Sequence, residues 1–170
     1  MSGLKKITIH WDAGHINPTV EALQDESMFY HFLVDGMGTV HNGKFKPEDN
    51  INTGDGKYAA HCGGGNTGNI GIAFCGMYNF SSVKSPGKEL LTKEQCEAGF
   101  KFIAQLCKKY DIDPTLENVF THFEFGQQHK DTTSYGKIDI IYLPAYPHVS
   151  KIDVGDFIRS KIRWYLKYAF

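Results

Sequence analysis

Apolar and polar positions divide this chain into short extended runs, polar turns and two long amphipathic stretches. Lys5 to Trp11 alternates and is rich in β-branched residues, which predicts a central strand. Asp12-Ala13-Gly14-His15 is a turn, Asn17-Pro18 reads as a helix start, and Thr19 to Ser27 as a short helix. Met28 to Asp35 is apolar and strand-like, and Asp35-Gly36-Met37-Gly38 predicts a hairpin turn into Thr39-Val40-His41. Lys44 to Lys57 is polar and reads as a surface loop. After a glycine run from Gly63 to Gly68, the apolar stretch Ile70 to Gly76 has the length of a buried strand. Asn79 to Gly87 is another loop.

Thr92-Lys93-Glu94-Gln95 has the form of a capping box. The helix it opens carries Cys96, Phe100, Ile103 and Cys107 on one face and should end near Tyr110, before Asp113-Pro114. Val119-Phe120-Thr121-His122 reads as a strand with a histidine at its end, followed by a polar loop that runs to Lys137-Ile138-Asp139. Val154 to Phe170 is a final amphipathic helix. Phe157, Ile158, Ile162, Tyr165 and Leu166 form its apolar side, and Arg159, Lys161, Arg163 and Lys167 are mostly outward. No repeat, low-complexity tract or linker interrupts the pattern. The expectation is one α/β domain over residues 1–170, a central mixed sheet flanked by helices with the helix at 154–170 packed on it.

Composition narrows the function. The 170 residues suffice for one domain with a sizeable core. A formal net charge of −1 provides no electrostatic footprint for nucleic acid or an anionic membrane. No apolar run reaches transmembrane length, and Ser2-Gly3-Leu4-Lys5-Lys6 leads straight into the first strand without a signal segment. The expected product is a monomer made in the cytoplasm and not inserted in a membrane. The four cysteines include no C-x-x-C pair. Cys96 and Cys107 are separated by about 16 Å of helical rise, too far for a disulfide, so reduced thiols are expected.

The candidate chemistry lies where strands end. His10 and His122 each close an extended run, and Asp139 follows Lys137 by two positions. Two imidazoles and a carboxylate would give zinc three protein ligands and leave a fourth position for water. His129 and Asp131 are reserve ligands from the same loop, which also holds Glu124, and His15 and Cys62 are lesser ones. There is no H-E-x-x-H zinc motif, and His122-Phe123-Glu124 lacks the Pro-Cys-x-x-Cys of a deaminase. The glycine run lacks the Gly-Lys-Ser/Thr of a phosphate loop.

Four segments in order resemble the zinc-dependent N-acetylmuramoyl-L-alanine amidases, the family that also contains peptidoglycan recognition proteins and phage amidase-type lysozymes. They are Ile7-Thr8-Ile9-His10-Trp11-Asp12-Ala13-Gly14, Tyr30-His31-Phe32-Leu33-Val34-Asp35 with Gly38-Thr39-Val40, His61 to Thr67 through Ile70-Gly71-Ile72, and Thr121-His122 with Gly136-Lys137-Ile138-Asp139-Ile140. The resemblance covers roughly residues 5 to 143. It implies a peptidoglycan recognition protein-like fold, zinc on His10, His122 and Asp139, catalytic groups at Tyr30 and Lys137, and a substrate groove lined by His61, Asn66 and Thr67. Many relatives carry a glutamate after Ile-Gly-Ile, where this chain has Ala73, so general-base duty is expected to fall on Tyr30 or Lys137.

The implied reaction is hydrolysis of the amide between N-acetylmuramic acid and L-alanine, with peptidoglycan or muropeptides as substrate. With no cell-wall-binding module in view, the expected role is a phage or prophage endolysin. The alternatives are a peptidoglycan-binding protein of the same fold without turnover, an amidase that also regulates a host protein, and an immunity-type or delivered toxin using the same chemistry.

Overall fold

A computed structural model describes residues 2–170; Met1, at the start of the expected single domain, lies outside the described residues. The expected strands are β1 (Lys6–Trp11), β2 (Phe32–Val34), β3 (Val40–Asn42), β4 (Asn69–Phe74) and β5 (Val119–Thr121). They form one sheet in the order β3-β2-β4-β1-β5. The β2–β3 hairpin is antiparallel, and β2–β4, β4–β1 and β1–β5 are parallel. The described residues thus form a single mixed α/β domain, as the pattern implied.

Register assigns the two faces. Ile7 and Ile9 lie beside Ile70 and Ile72, and these four join Trp11 and Phe74 in the main core. The alternate positions, Lys6, Thr8 and His10 beside Asn69, Gly71 and Ala73, belong to the opposite face. Helices α2 (Lys93–Tyr110) and α4 (Val154–Tyr168) cover the core face. Phe100, Ile103, Ile158 and Ile162 of these helices are fully buried. The capping box of α2 forms as expected, with the Thr92 hydroxyl accepting from Gln95 N and the Gln95 side chain accepting from Thr92 N. The four cysteines are buried and free.

Several boundaries differ from the pattern. Helix α1 is Val20–Glu26 and its N-cap is Thr19, whose hydroxyl accepts from Ala22 N. Asn17-Pro18 therefore precedes the helix and does not start it. The extended run from Met28 shrinks to Phe32–Val34, because Met28 and Phe29 turn the chain and stay half exposed. The loop at 44–57 contains a 3-10 turn, Pro47–Ile51, that buries Asn50 completely. Asn50 accepts from Ala59 N and donates to the carbonyls of Ala59 and Asn66, so it braces the segment that leads to His61.

The largest correction lies after β5. His122 opens a helix, α3 (His122–Gln128), where a polar loop was expected. The Thr121 hydroxyl accepts from Glu124 N, and Glu124 accepts from Thr121 N. Thr121-His122-Phe123-Glu124 is thus a second capping box, a signal legible in the sequence and not used there. A second correction is Arg159. Expected outward, it is 4% exposed and pairs with Glu124 through both guanidinium nitrogens at 2.8 Å.

Candidate metal centre and substrate groove

The parallel strands end together, and the candidate site lies at their carboxyl ends, where open α/β sheets place ligands. His10 is the penultimate residue of β1, and His122 directly follows β5. Asp139 joins them because its backbone carbonyl accepts from Phe123 N, a first-turn donor of α3 without a partner inside that helix. Asp139 Oδ2 lies 2.8 Å from His10 Nδ1 and 3.2 Å from His122 Nδ1. The three ligand atoms fall within 4.8 Å of one another, a grouping that could hold a metal ion.

The chemistry of this donor set fits a divalent cation. His61 Nε2 lies 3.0 Å from the Asn69 carbonyl, which can only accept, so His61 donates there. Neutral His61 then accepts at Nδ1 from His10 Nε2, also at 3.0 Å. This leaves the lone pair of His10 Nδ1 facing the Asp139 carboxylate. Two lone pairs directed at one point suit a cation and are poorly arranged for each other.

Burial governs the protonation of these groups. It pushes His10 down, against the raising influence of Asp139. Burial, together with His10 and His31, pushes His61 down further. Burial also pulls on His122, but Asp139 and Cys62 outweigh it and carry that imidazole up to about 9, so a metal bound at Nδ1 would displace a proton there. Asp139 is pushed up by burial, yet the two imidazoles beside it, His10 and His122, bring it below the usual carboxylate range.

Above these ligands runs a groove of about 410 Å³. Tyr30, Lys137, His61, Asn66 and Thr133 are among its lining residues. The Tyr30 ring lies 5.2 Å from that of His10. Burial, then the charges of Asp139, Asp12 and Glu26, raise the Tyr30 hydroxyl far above its ordinary value. Burial thus favours the protonated form of the Tyr30 hydroxyl. Lys137 is exposed and borders both this groove and a smaller pocket of about 270 Å³ that includes Trp11, Met77 and Phe80.

The structure distributes the other expected site residues differently. His61 is buried beneath the groove, and its ring occupies the space where a β-carbon at Gly71 would stand. Asn66 lines the groove, but its side-chain Oδ1 is taken by the backbone N–H groups of His61 and Cys62. Thr67 does not line the groove; it lines the adjoining pocket and its hydroxyl pairs with that of Thr53. Of the reserve ligands, His129 and Asp131 are exposed and outside the cluster. Glu124 is taken by Arg159, and His15 pairs with Glu89. Cys62 is buried, with its sulfur 3.8 Å from the Ser134 hydroxyl.

Beside the site, Asp12 Oδ1 accepts from Gly14 N and Gly76 N and so ties the turn after β1 to the end of β4. The Oδ2 atom of Asp12 has no conventional donor. Burial and the adjacent Asp12 carboxylate push Glu26 well above the usual carboxylate range. A proton on Glu26 would give Asp12 Oδ2 the hydrogen bond it lacks.

Fold and site together define a mixed-sheet α/β protein with a three-donor centre able to hold a metal. Its sequence matches the family model described as N-acetylmuramoyl-L-alanine amidase over residues 2–137, and the chain belongs to that family. The match ends just short of Asp139. No curated protein matches the chain. Among solved structures, the amidase LysC from Clostridium intestinale URNW superimposes with a TM-score of 0.58 at 18% identity, covering 95% of this chain and 87% of its own. The Escherichia coli amidase AmiD, solved with a muropeptide substrate, gives 0.55 at 19% identity, covering 94% of this chain and 57% of its own. Drosophila peptidoglycan recognition protein SD gives 0.51 at 21% identity, with 78% and 76% covered. At these identities the likeness is one of fold.

Proposed function

We propose that this protein is a zinc-dependent N-acetylmuramoyl-L-alanine amidase that cleaves the amide joining the lactyl group of N-acetylmuramic acid to L-alanine in peptidoglycan. The observation that carries the reading is the convergence of His10 Nδ1, His122 Nδ1 and Asp139 Oδ2 beneath a groove bordered by Tyr30 and Lys137. His10, His122 and Asp139 would hold zinc, which supplies a Lewis acid able to activate water near neutral pH.

The chain's own groups do the rest. The Lys137 ammonium and the Tyr30 hydroxyl border the groove and stabilise negative charge developing on the amide oxygen. Tyr30 also carries a proton that the departing amine of L-alanine can take. Ala73 provides no carboxylate at the end of β4, and burial favours the protonated form of the Tyr30 hydroxyl. With Lys137 engaged as the ammonium, general-base duty falls to solvent within the groove.

Family membership, and the fold shared with endolysins such as that of the Thermus scotoductus bacteriophage Ph2119, support a role in lysis of the cell wall as a phage or prophage endolysin. The test is release of new N-terminal alanine from purified peptidoglycan before chelation, after it, and after zinc add-back. Release that is lost and regained supports the amidase. Zinc binding with no cleavage of any muropeptide would make the protein a peptidoglycan binder.

A further inference from the structure

Each histidine of the centre turns its other ring nitrogen toward a short chain of hydrogen bonds, and both chains end on a backbone carbonyl. His10 Nε2 meets His61 Nδ1 at 3.0 Å, and His61 Nε2 meets the Asn69 carbonyl at 3.0 Å. His122 Nε2 meets the Ser134 hydroxyl at 2.9 Å, and that hydroxyl meets the Gly63 carbonyl at 2.7 Å. A carbonyl oxygen can only accept, so the last proton of each chain has one direction to point. The Asn69 carbonyl takes the single N–H of a neutral His61. The Gly63 carbonyl takes the single hydrogen of the Ser134 hydroxyl. The proton direction then propagates inward: His61 Nδ1 and Ser134 Oγ must accept, so His10 and His122 both donate from Nε2. In each ring Nδ1 is left to face Asp139.

We infer that His61 and Ser134 are the positioning residues of the metal centre, two carbonyl-anchored relays that fix both ligand imidazoles in the tautomer whose Nδ1 faces the metal. The inference rests on the zinc reading above and reassigns His61, whose ring nitrogens are both engaged inside the protein, away from substrate binding.

The rest of the local structure is built around these relays. His61 and Ser134 are 6% and 0% exposed. The His61 ring lies over Gly71, where any side chain would collide with it, which gives a reason for glycine in the middle of a buried strand. Asn66 accepts from the backbone N–H groups of His61 and Cys62 and so holds the turn that presents His61 and Gly63. A β-carbon at Gly63 would run into the Thr133 hydroxyl, beside Ser134. A hydrogen-bonded partner of this kind raises the basicity of a ligating imidazole and fixes its ring, and its loss typically costs about 10- to 100-fold in metal affinity.

The experiment measures two properties of the full chain. Zinc affinity is read by competition with a chromophoric chelator, and the tautomers of His10 and His122 by long-range nitrogen–proton NMR of the metal-free and zinc-loaded protein. His61→Phe keeps the ring over Gly71 and removes the acceptor, whereas His61→Asn restores an acceptor near the Nδ1 position. Ser134→Ala tests the second relay where the first variant fails to fold. About 10- to 100-fold weaker zinc binding is expected in His61→Phe and Ser134→Ala, with part of it regained in His61→Asn. Wild-type affinity in both His61→Phe and Ser134→Ala would overturn the inference. The metal-free wild type judges the relays independently of zinc: His10 protonated at Nε2 supports them and His10 protonated at Nδ1 overturns them. A wild type that binds no zinc would sink the metal reading and leave that tautomer result standing.

Discussion

Arg159, on the last helix, closes two parallel hydrogen bonds on Glu124, in the first turn of the helix that begins with His122. The same guanidinium donates to the Val119 carbonyl at the start of β5. Burial opposes its charge, and Glu124 and Asp156 more than offset that. The C-terminal helix therefore holds the strand and the helix start that position one candidate ligand, although it contributes no residue to the groove.

Arg159→Ala should accordingly cost about 3–5 kcal/mol, because it leaves Glu124 without its cation and the Val119 carbonyl without its donor. Urea unfolding measures this. Loss under about 1 kcal/mol would mean that the pair contributes no more than a surface bridge. Zinc binding at low temperature should survive, since no ligand is removed.

Lys137→Ala should keep the metal and lose about 100- to 1,000-fold in turnover, the usual cost of removing one donor to a developing oxyanion. Metal content and alanine release measured on the same sample separate the two effects. A variant that had also lost zinc would move Lys137 from catalysis to structure.

His31 gives an acid limb to stability. Its Nδ1 accepts from Gly71 N and its Nε2 donates to Asn50, a neutral arrangement, and burial pushes its pKa down to about 4. The unfolded ring takes a proton near pH 6.5, so the unfolded state binds more protons between the two values and stability falls as pH drops through that window. The contribution is about 3 kcal/mol. Wild type should lose more stability than His31→Gln between about pH 7 and pH 4 in urea unfolding; parallel losses would contradict this.

Glu26 acts with the opposite sign. Its folded pKa is raised, so the folded state holds a proton that the unfolded state has lost, and stability declines as pH rises above the ordinary carboxylate range. Glu26→Gln, which keeps a donor for Asp12 Oδ2 without the titration, should be more stable than wild type at about pH 8 and close to it at about pH 4. Thermal unfolding at the two pH values reads the difference. A destabilised variant at the higher pH would show that Glu26 is ionised in the folded protein.

Most of the fold was legible in the chain. Strict alternation gave β1, the apolar run gave β4, and the Thr92–Gln95 capping box placed the start of α2. The three candidate ligands, named from strand ends and the lysine-x-aspartate, come together in space. Two kinds of information were out of reach. One is hydrogen-bond direction: nothing in His61-Cys62-Gly63 shows that the ring turns inward to a strand carbonyl, nor that Ser134 stands behind His122. The other is the sidedness of a helix whose polar residues are long. Arg159 shares a helix with the solvent-facing residues around it, and only the position of Glu124 reveals that it is buried. Helix α3 was legible and missed, because its capping box lay inside a stretch read as polar loop.

The most direct measurement is zinc stoichiometry together with alanine release in wild type, His10→Ala and His122→Ala. One zinc per wild-type chain with chelation-sensitive release, and neither property in either variant, is the expected result. Full alanine release from a chain without zinc, or zinc retained at full stoichiometry after loss of either histidine, would contradict the assignment of this centre.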